Sequence, residues 1–351
     1  MMDVEIFIGK AKLGLDQPAY IIAEAGVNHR CNLEWAKRMV EEAALAGADA
    51  IKFQSYKAAT IAAKESPIYW NDKTIRTQLE AFQKSDCFGK IEFIELFEHC
   101  EKWGIEFLST PFDRDAVHYL DQLGMRAFKI SSSDLTNYVL LRQIAELGKP
   151  IFLSTGASDL DEIRSALTVL KPFDVDVVLL HCVLKYPTPD ENANLLAIEG
   201  LADAFPGYLI GYSDHTLPGR DYLAPAVSVV LGAKVVEKHF SINLDFPGDD
   251  HYHSVDSSGL RQMVASIRRA EKLLGTPEVG YAEVEEQARL FARRSLVAKG
   301  SIPQGTQISA DNLIPKRPGT GISPIHLDDV LGRKAKVDID DDTILTWELL
   351  E

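Results

Sequence analysis

Two short stretches of the chain, "GYSDHT" and "VVEKHF", each end in histidine where an apolar run gives way to polar residues. Every second side chain of an extended strand shares a face, so Ser213 lies with His215 and Glu237 lies with His239. Neutral imidazoles are common ligands of divalent metals, and a neighbouring carboxylate can orient water or move a proton. The two stretches therefore predict that His215 and His239 bind one divalent metal.

Hydrogen-bond donors follow the other strand-like runs at equivalent positions. They are Lys52, Thr110, Lys129, Ser132, Ser154 and Ser213. The same alternation places Glu24 on a face with Ile22, and Lys52 with Gln54. Lysines and hydroxyls together offer a phosphate or carboxylate charge-assisted hydrogen bonds from several directions. Polar groups at the ends of buried strands are costly unless they hold a ligand, so we expect an anion-binding pocket.

Strand-like and helical runs alternate along most of the chain. "AYIIAEAG" precedes an amphipathic run at 33–46, "ADAIKFQSY" precedes a long polar insertion and a helical run at 90–103, and "AKVVEKHF" precedes a helical run at 257–274. Eight such pairs in about 270 residues are typical of a (β/α)8 TIM barrel, whose active site lies at the carboxyl ends of the strands. No GxGxxG follows the first strand, which argues against dinucleotide binding.

The tail of the chain has a different pattern, with short strands and turn residues. "IPQGTQISADNL" and "IDDDTILTWELL" align as an internal repeat, which predicts a small pseudo-symmetric β domain. We expect a catalytic barrel over 1–276, a linker over 277–293 and the β-rich domain over 294–351. A domain of that size buries little core, so docking against a partner would stabilise it.

Composition limits the class of protein. The chain has 351 residues, 46% of them hydrophobic, and a formal net charge of −15. Such an acidic surface repels phosphates, so we expect neither a nucleic-acid partner nor an anionic membrane surface. Without an apolar run of about 20 residues and without an export pattern, the expected location is the cytoplasm.

The four cysteines are widely and irregularly spaced and include no CxxC pair. They are Cys31, Cys87, Cys100 and Cys182. This spacing suggests neither a disulfide framework nor a thiolate zinc site, so we expect free thiols.

Seven ordered motifs resemble one family, the N-acetylneuraminate (sialic acid) synthases and their legionaminate and pseudaminate-type relatives. The motifs are "IIAEAGVNHRCNLEWAKRMVEEAALAGADAIKFQSY", "LSTPFD", "FKISSSD", "LSTGAS", "HCVLKYPTP", "IGYSDHT" and "EKHF". The tail resembles that family's antifreeze-like (SAF) domain, a small β-clip fold. The resemblance covers nearly the whole chain.

The resemblance implies a reaction. Phosphoenolpyruvate would condense with an N-acylated mannosamine-type aldose to give a nine-carbon 2-keto-3-deoxy sugar acid and phosphate. Family members use Mn²⁺ or Mg²⁺, which His215 and His239 would hold to polarise the aldehyde. The six donors match the family's phosphoenolpyruvate contacts, and Glu24 matches the acid near the carbon that water attacks. Glu237 would support metal-bound water or the sugar.

Sugar recognition also follows from the resemblance. Gln54, Tyr186 and Asp250 match positions that contact the acceptor. Arg317, in "KRPGTG", matches an arginine that reaches the N-acyl group from the small domain of the other subunit. The resemblance therefore implies a domain-swapped homodimer.

The chain also departs from the family pattern. Asp134 stands where many relatives have Glu, at a position that holds sugar hydroxyls, and the shorter side chain suggests a different acceptor. Leu184 replaces a polar phosphate contact, which predicts a weaker phosphoenolpyruvate fit or compensation by Lys185. In "GDDHYHSVD", His251 and His253 are interpreted as sugar-side or solvated residues.

Two other functions fit parts of the pattern. A metal-dependent barrel aldolase or lyase that uses pyruvate would turn over without phosphate release and would not need both Lys52 and Lys129. A non-catalytic sugar-binding protein would keep its ligand when His215 is replaced by Ala. The concentration of polar strand ends favours the synthase over both.

Overall fold

The computed structural model describes residues 4–70, 75–219, 221–248 and 250–351. The chain divides into two compact units, Met1–Gly275 and Thr276–Glu351. The first unit contains the strand and helix alternation, and the second contains the internal repeat.

The first unit begins with an antiparallel hairpin that the sequence pattern did not predict. Its strands are β1 (Ile6–Ile8) and β2 (Ala11–Leu13). Ile6, Ile8 and Leu13 are 1% exposed and pack among the apolar side chains at the amino-terminal ends of the barrel strands. The hairpin therefore closes the end of the barrel opposite to the predicted site.

Eight parallel strands follow and confirm the predicted barrel. They are β3 (Tyr20–Gly26), β4 (Ala50–Ser55), β5 (Glu106–Pro111), β6 (Phe128–Ile130), β7 (Ile151–Ser154), β8 (Val177–Cys182), β9 (Leu209–Asp214) and β10 (Val235–His239). The hydrogen-bonded order runs β5-β4-β3-β10-β9-β8-β7-β6, and β5 lies beside β6 across the remaining seam. Neighbouring strand ends therefore face one common opening.

Helices connect the strands on the outside. They are α1 (Leu33–Ala46), α2 (Ala58–Ile61), α3 (Gln78–Ser85), α4 (Lys90–Trp103), α5 (Arg114–Leu123), α6 (Tyr138–Ala145), α7 (Leu160–Leu170), α8 (Ala197–Ala204), α9 (Leu223–Val230) and α10 (Ser257–Leu274). Local sequence sets their ends: α1 begins where Asn32 accepts a hydrogen bond from the Trp35 amide at 3.0 Å and ends at Gly47, whose φ is +86°. α2 and α3 belong to the polar insertion.

The barrel interior changes character along its axis. An apolar layer fills the half next to the hairpin. It contains Tyr20, Ile22, Ala50, Leu108, Ala127, Phe152, Val178, Leu180, Leu209 and Val235. Two residues further along β3, β4 and β10 the inward positions are Glu24, Lys52 and Glu237, because side chains alternate between the two faces of each strand.

The second unit is small and mostly irregular. Its elements are α11 (Glu286–Ala292), β11 (Ser295–Ala298), β12 (Leu313–Lys316) and α12 (Leu327–Val330). The predicted repeat is confirmed: Ile302 and Ile339 occupy equivalent places and exchange both backbone hydrogen bonds, at 2.7 and 2.9 Å. Each repeat continues into a 3-10 turn, at 310–312 and 347–349.

None of the helices in the described part of the chain is long and apolar enough to cross a membrane.

Gly211 of β9 offers a test of barrel packing. A Cβ at this position would lie 2.5 Å from Leu180 Cδ2 and 2.7 Å from the Val235 carbonyl oxygen. Overpacking of this kind costs about 1–3 kcal/mol, so Gly211→Ala should lower the free energy of unfolding by that amount in a denaturant titration. Gly200→Ala is the control: in α8 its Cβ would meet nothing within 4 Å, and it should stabilise by roughly 0.5–1 kcal/mol. Equal effects of the two substitutions would contradict this account.

Candidate active site

Four charged side chains lie together at the start of the polar half of the barrel. Lys52 Nζ forms a close ion pair with Glu24 and lies 3.7 Å from Glu237 Oε2, while Lys129 Nζ lies 3.7 Å from Glu237 Oε1. Each of the four is at most 4% exposed. Two cations therefore compensate two anions, as buried charges require. We call Glu24, Lys52, Lys129 and Glu237 the buried charge cluster.

Burial and pairing move the pKa values of the cluster in different directions. Burial raises the pKa of Glu24 to about 7; Lys52 opposes the rise and Glu237 adds to it. Burial also acts to raise the pKa of Glu237, but Lys129 and Lys52 outweigh it and the pKa is lowered. Burial lowers the pKa of Lys129, whereas Glu237 and Glu24 overcome burial at Lys52 and raise its pKa. Glu24 is thus the member poised to exchange a proton near neutral pH.

Two of the predicted hydroxyls bind the cluster directly. Thr110 Oγ1 accepts a hydrogen bond from Lys52 Nζ at 2.9 Å, and Ser213 Oγ donates one to Glu237 Oε1 at 3.0 Å. They hold the lysine and the carboxylate in fixed rotamers.

Two other hydroxyls lie on the side of Lys129. Lys129 Nζ makes a long hydrogen bond of 3.4 Å to the Ile130 carbonyl. Ser132 Oγ accepts from the Gly156 amide at 3.0 Å, and Ser154 Oγ is buried with no hydrogen-bond partner among the described residues. Buried polar groups normally have partners, so this side of the cavity has donors to spare for a ligand.

The predicted histidines are neighbours at the cavity. The ring centroids of His215 and His239 are 5.4 Å apart, and the Tyr186 ring lies 4.2 Å from His215 and 6.1 Å from His239. His215 Nδ1 donates to the Val183 carbonyl at 2.8 Å, which leaves its Nε2 as an acceptor. Burial is the main cause that lowers the pKa of His239 well below its usual value, and the nearby His253 adds to the effect. His239 is therefore neutral and suited to metal ligation. Burial acts to lower the pKa of His215 as well, but Cys182 and the Val183 contact outweigh it and raise the pKa, so His215 binds a metal only when its ring is deprotonated.

The two residues that precede the histidines have a structural role. Asp214 Oδ2 and Lys238 Nζ form an ion pair of 2.9 Å, and each side chain is 1% exposed. Thr216 donates to Asp214 Oδ1 from both its amide and its hydroxyl, at 2.8 Å. This pair joins the ends of β9 and β10 and so fixes the distance between the two histidines.

His251 and His253 were expected to be sugar-side or solvated residues, and the solvated alternative is wrong. Both side chains are fully buried, because the 3-10 turn that carries them folds behind His239. Asp250, at the start of the turn, places Oδ2 3.5 Å from His239 Nδ1 and Oδ1 3.7 Å from His253 Nε2. Burial lowers the pKa of His253 to about 3, so its ring is neutral. Sequence reasoning named His253 but did not predict its place beside His239 and Asp250, for which the spacing from Asp250 was the available signal.

All fourteen barrel residues predicted for the site line one cavity of about 1330 Å³. The four barrel residues predicted to bind the sugar are among them: Gln54, Asp134, Tyr186 and Asp250. Gln54 Nε2 donates to Glu24 Oε1 at 3.3 Å, and Asp134 accepts from Ser131 Oγ at 2.8 Å. Leu184 lines the same cavity. Arg317 is exposed on the second unit.

The polar insertion between β4 and α4 supplies a wall of this cavity that the motifs did not predict. Tyr69, Trp70 and Phe82 line it, with Tyr69 and Trp70 ring centroids 5.0 Å apart. The sequence signal that could have indicated this wall is the presence of aromatic side chains within an otherwise polar segment. They provide apolar surface opposite the charged floor.

A disulfide bond joins Cys31 to Cys87, which corrects the expectation of free thiols for this pair. The residues are 56 apart in sequence, and only the fold brings them together, because the loop after β3 meets the insertion at the rim of the cavity. Cys100 and Cys182 are free and buried, as expected. Cys182 Sγ lies 3.7 Å from His215 Nδ1.

The chemistry of these donors fits a divalent metal. His239 Nδ1 is buried with no hydrogen-bond partner among the described residues, and His215 keeps Nε2 as an acceptor. His239, Asp250 and His253 also place one nitrogen or oxygen each within 4.8 Å of one another. Imidazole and carboxylate ligands suit Mn²⁺, Fe²⁺ and Zn²⁺.

A parallel barrel with paired lysines, carboxylates and imidazoles at its strand ends is the construction of a barrel enzyme for anionic substrates. The NeuB family profile matches residues 39–279, and the SAF domain profile matches residues 293–351. The chain belongs to the NeuB family.

Relatives of known name cover almost the whole chain. An N,N'-diacetyllegionaminic acid synthase of Legionella pneumophila is 38% identical over 96% of this chain and 96% of that protein. One from Campylobacter jejuni is 40% identical over 93% and 98%. The crystal structure of the N-acetylneuraminic acid (sialic acid) synthetase from Leptospira borgpetersenii, in complex with citrate, superposes with a TM-score of 0.73 at 34% identity. It covers 82% of this chain and 95% of that one.

Thiol counting tests the disulfide bond. The chain has four cysteines, and two of them are bonded, so protein denatured without reductant should react with two equivalents of a thiol reagent. After reduction it should react with four. Cys31→Ser should give three equivalents with or without reductant, because Cys87 is then released. Four equivalents in unreduced wild-type protein would show that the bond does not form.

Proposed function

We propose that this protein condenses phosphoenolpyruvate with an N-acylated mannosamine-type aldose and releases phosphate. The product is a nine-carbon 2-keto-3-deoxy sugar acid of the sialic acid type. The observation that carries the proposal is one cavity in which the buried charge cluster, the hydroxyl groups of Ser132 and Ser154, and neighbouring imidazoles meet. Membership of the NeuB family supports it.

Phosphoenolpyruvate would bind on the Lys129 side of the cavity. Lys52 is already neutralised by Glu24 at close range, whereas Lys129 has only a 3.7 Å ion pair with Glu237. The ammonium group of Lys129 is therefore less closely paired with a carboxylate and more open to an anionic ligand, and Ser132 and Ser154 line the same cavity. Charge-assisted hydrogen bonds from a lysine and hydroxyls suit both the phosphate and the carboxylate.

Glu24 would act on the water that completes the reaction. The methylene carbon of phosphoenolpyruvate forms a bond to the aldehyde carbon, and the carbon that bears the phosphate becomes electron-poor. Water adds to that carbon while one of its protons passes to Glu24, and the former aldehyde oxygen, which took the C=O electron pair, gains a proton and becomes a hydroxyl group. The carbon–oxygen bond to phosphate then breaks, phosphate leaves with the second proton of the added water, and the keto group remains. Gln54, which donates to Glu24 at 3.3 Å, orients the carboxylate for this transfer.

The other end of the cavity would bind the aldose. A divalent ion, Mn²⁺ or Mg²⁺, held by His215 and His239 would supply a Lewis acid for the aldehyde oxygen. Asp134, Tyr186 and Asp250 offer hydrogen bonds to hydroxyl and amide groups, and Tyr69 and Trp70 offer apolar surface. The names of the two bacterial relatives make a 2,4-diacetamido-trideoxy sugar the first acceptor to test.

A phosphate-release assay tests the proposal. We expect release only when phosphoenolpyruvate, Mn²⁺ and an acceptor are all present, with one phosphate for each sugar acid formed. The acceptor panel is N-acetylmannosamine, its 6-phosphate and a 2,4-diacetamido-trideoxy aldose, and we expect the last to be used best. Pyruvate in place of phosphoenolpyruvate should give no product. No phosphate release with any acceptor, or condensation with pyruvate, would refute the proposal.

The pH dependence of catalysis should report the Glu24 carboxyl. Because a general base must be unprotonated and the pKa of Glu24 is raised to about 7, kcat/KM should rise with pH through that value and fall below it. Glu24→Gln should lower kcat by about 10²- to 10⁴-fold and remove this limb. Phosphoenolpyruvate also ionises in this range, but it does so equally with the wild type and the variant, so the comparison of the two isolates the contribution of Glu24. A limb that persists unchanged in the variant would contradict the role of Glu24.

We further propose a domain-swapped homodimer, located in the cytoplasm, where phosphoenolpyruvate is available. Arg317 of one copy would reach the acceptor in the cavity of the other. An exposed arginine beside a proline turn, on a small unit, supports such a role.

Complementation between inactive subunits tests the swap. Glu24→Gln and Arg317→Ala proteins should each be impaired, but mixed dimers contain one site with an intact Glu24 and an intact Arg317. Refolding or co-expressing the two should therefore restore activity above either alone. Activity that stays at the mean of the two variants would mean that Arg317 does not act across subunits.

A further inference from the structure

His253 is a buried imidazole without a partner. Its side chain is fully buried, and neither ring nitrogen has a hydrogen-bond partner among the residues that the structure describes. Leaving a buried polar group without a hydrogen-bond partner destabilises the folded state. His251, two residues earlier in the same turn, is equally buried but places Nδ1 2.8 Å from Ser241 Oγ. A histidine buried in this turn can therefore have a hydrogen-bond partner, so burial alone does not explain why His253 has none.

The surroundings of His253 indicate a ligand. Its ring centroid lies 4.7 Å from that of His239, and its Nε2 lies 3.7 Å from Asp250 Oδ1. His239 Nδ1 also has no hydrogen-bond partner in the described chain and lies 3.5 Å from Asp250 Oδ2. These separations are long for hydrogen bonds, but they bring three potential ligand atoms within 4.8 Å of one another.

The spacing is close to that of a coordination sphere. Metal bonds to imidazole nitrogen and carboxylate oxygen are about 2.0–2.2 Å, so two ligands of one ion lie at most about 4.4 Å apart. Small side-chain rotations would bring all three atoms to one ion. Asp250 and His239 line the cavity, which leaves the remaining coordination positions open toward the substrates.

Hydrogen bonds from the barrel fix the turn in place. Asn28 donates to the Phe240 carbonyl at 3.0 Å and to Ser254 Oγ at 3.1 Å, and its Oδ1 accepts from the Asp250 amide at 3.2 Å. Ser254 Oγ in turn donates to the Asp250 carbonyl at 2.6 Å. The backbone that carries His239, Asp250 and His253 is thus joined through one buried asparagine, as a preorganised site requires.

We propose that His239, Asp250 and His253 form a divalent-metal site of two imidazoles and one carboxylate. The inference deepens the proposed function, on which it rests: Asp250 and His253 would join His215 and His239 around the same single ion, and of the two ions proposed above they favour Mn²⁺ over Mg²⁺. A set with two nitrogen ligands favours transition ions such as Mn²⁺, Fe²⁺, Co²⁺ and Zn²⁺. Mg²⁺ prefers oxygen ligands and should bind this set weakly.

Metal titration without substrates tests the site. Protein freed of metal by chelation is titrated with Co²⁺, followed by its visible absorption, and with Mn²⁺, followed by electron paramagnetic resonance. The key variant is His253→Phe, which keeps an aromatic ring but removes both nitrogens. We expect wild-type protein to bind one equivalent per chain, and the variant to bind at least ten times more weakly with an altered Co²⁺ spectrum. Excess Mg²⁺ should displace little Co²⁺ from the wild type.

The matched control is His251→Asn, which removes a buried imidazole from the same turn but keeps a polar atom near Ser241. It should retain the wild-type affinity and spectrum. Thermal melting of the metal-free proteins checks folding. Unchanged affinity and spectrum in His253→Phe, or equal losses in both variants, would overturn the proposal. Metal binding without phosphate release from any acceptor would refute the proposed function and leave this site intact.

Discussion

Compensation among four buried charges is the constraint on which the rest of the site depends. Glu24, Lys52, Lys129 and Glu237 lie where the apolar filling of the barrel ends, and each is nearly inaccessible to water. Removing one partner of a buried pair costs about 3–5 kcal/mol, because the other charge is left uncompensated. The four are therefore interdependent, and an anion that enters must draw its neutralisation from a network that is already balanced. Because its pKa is raised to about 7, Glu24 is the member of the network whose charge can change near neutral pH.

Much of the fold and of the cavity could be predicted because barrels follow simple periodicities. Alternation along each strand places Glu24, Lys52 and Glu237 two residues beyond inward apolar positions, and parallel strands bring their carboxyl ends to one opening. The fourteen barrel residues predicted for the site consequently line one cavity. The chemical roles assigned to them remain predictions, since location alone does not specify a role.

Features that depend on contacts between loops could not be predicted. Cys31 and Cys87 come together only because the insertion folds against the loop after β3, and no spacing rule describes that approach. The amino-terminal hairpin has strands of three residues, too short for a clear alternation. His253 looked like a surface residue because charged and polar neighbours surround it in sequence. Its burial follows from the tertiary hydrogen bonds of Asn28, which link residues more than 200 positions apart.

The disulfide bond has a thermodynamic consequence for the cavity wall. A cross-link that closes a loop of this length removes about 4 kcal/mol of conformational entropy from the unfolded chain, in the simplest chain model. The loop contains α1, β4 and the insertion with α2 and α3, so the cross-link also constrains the segment that forms the aromatic wall. Oxidation would leave the charged floor as it is and raise the free energy needed to open its aromatic wall. The stability of the aromatic wall against local unfolding would then depend on whether the surrounding compartment keeps this disulfide bond oxidised.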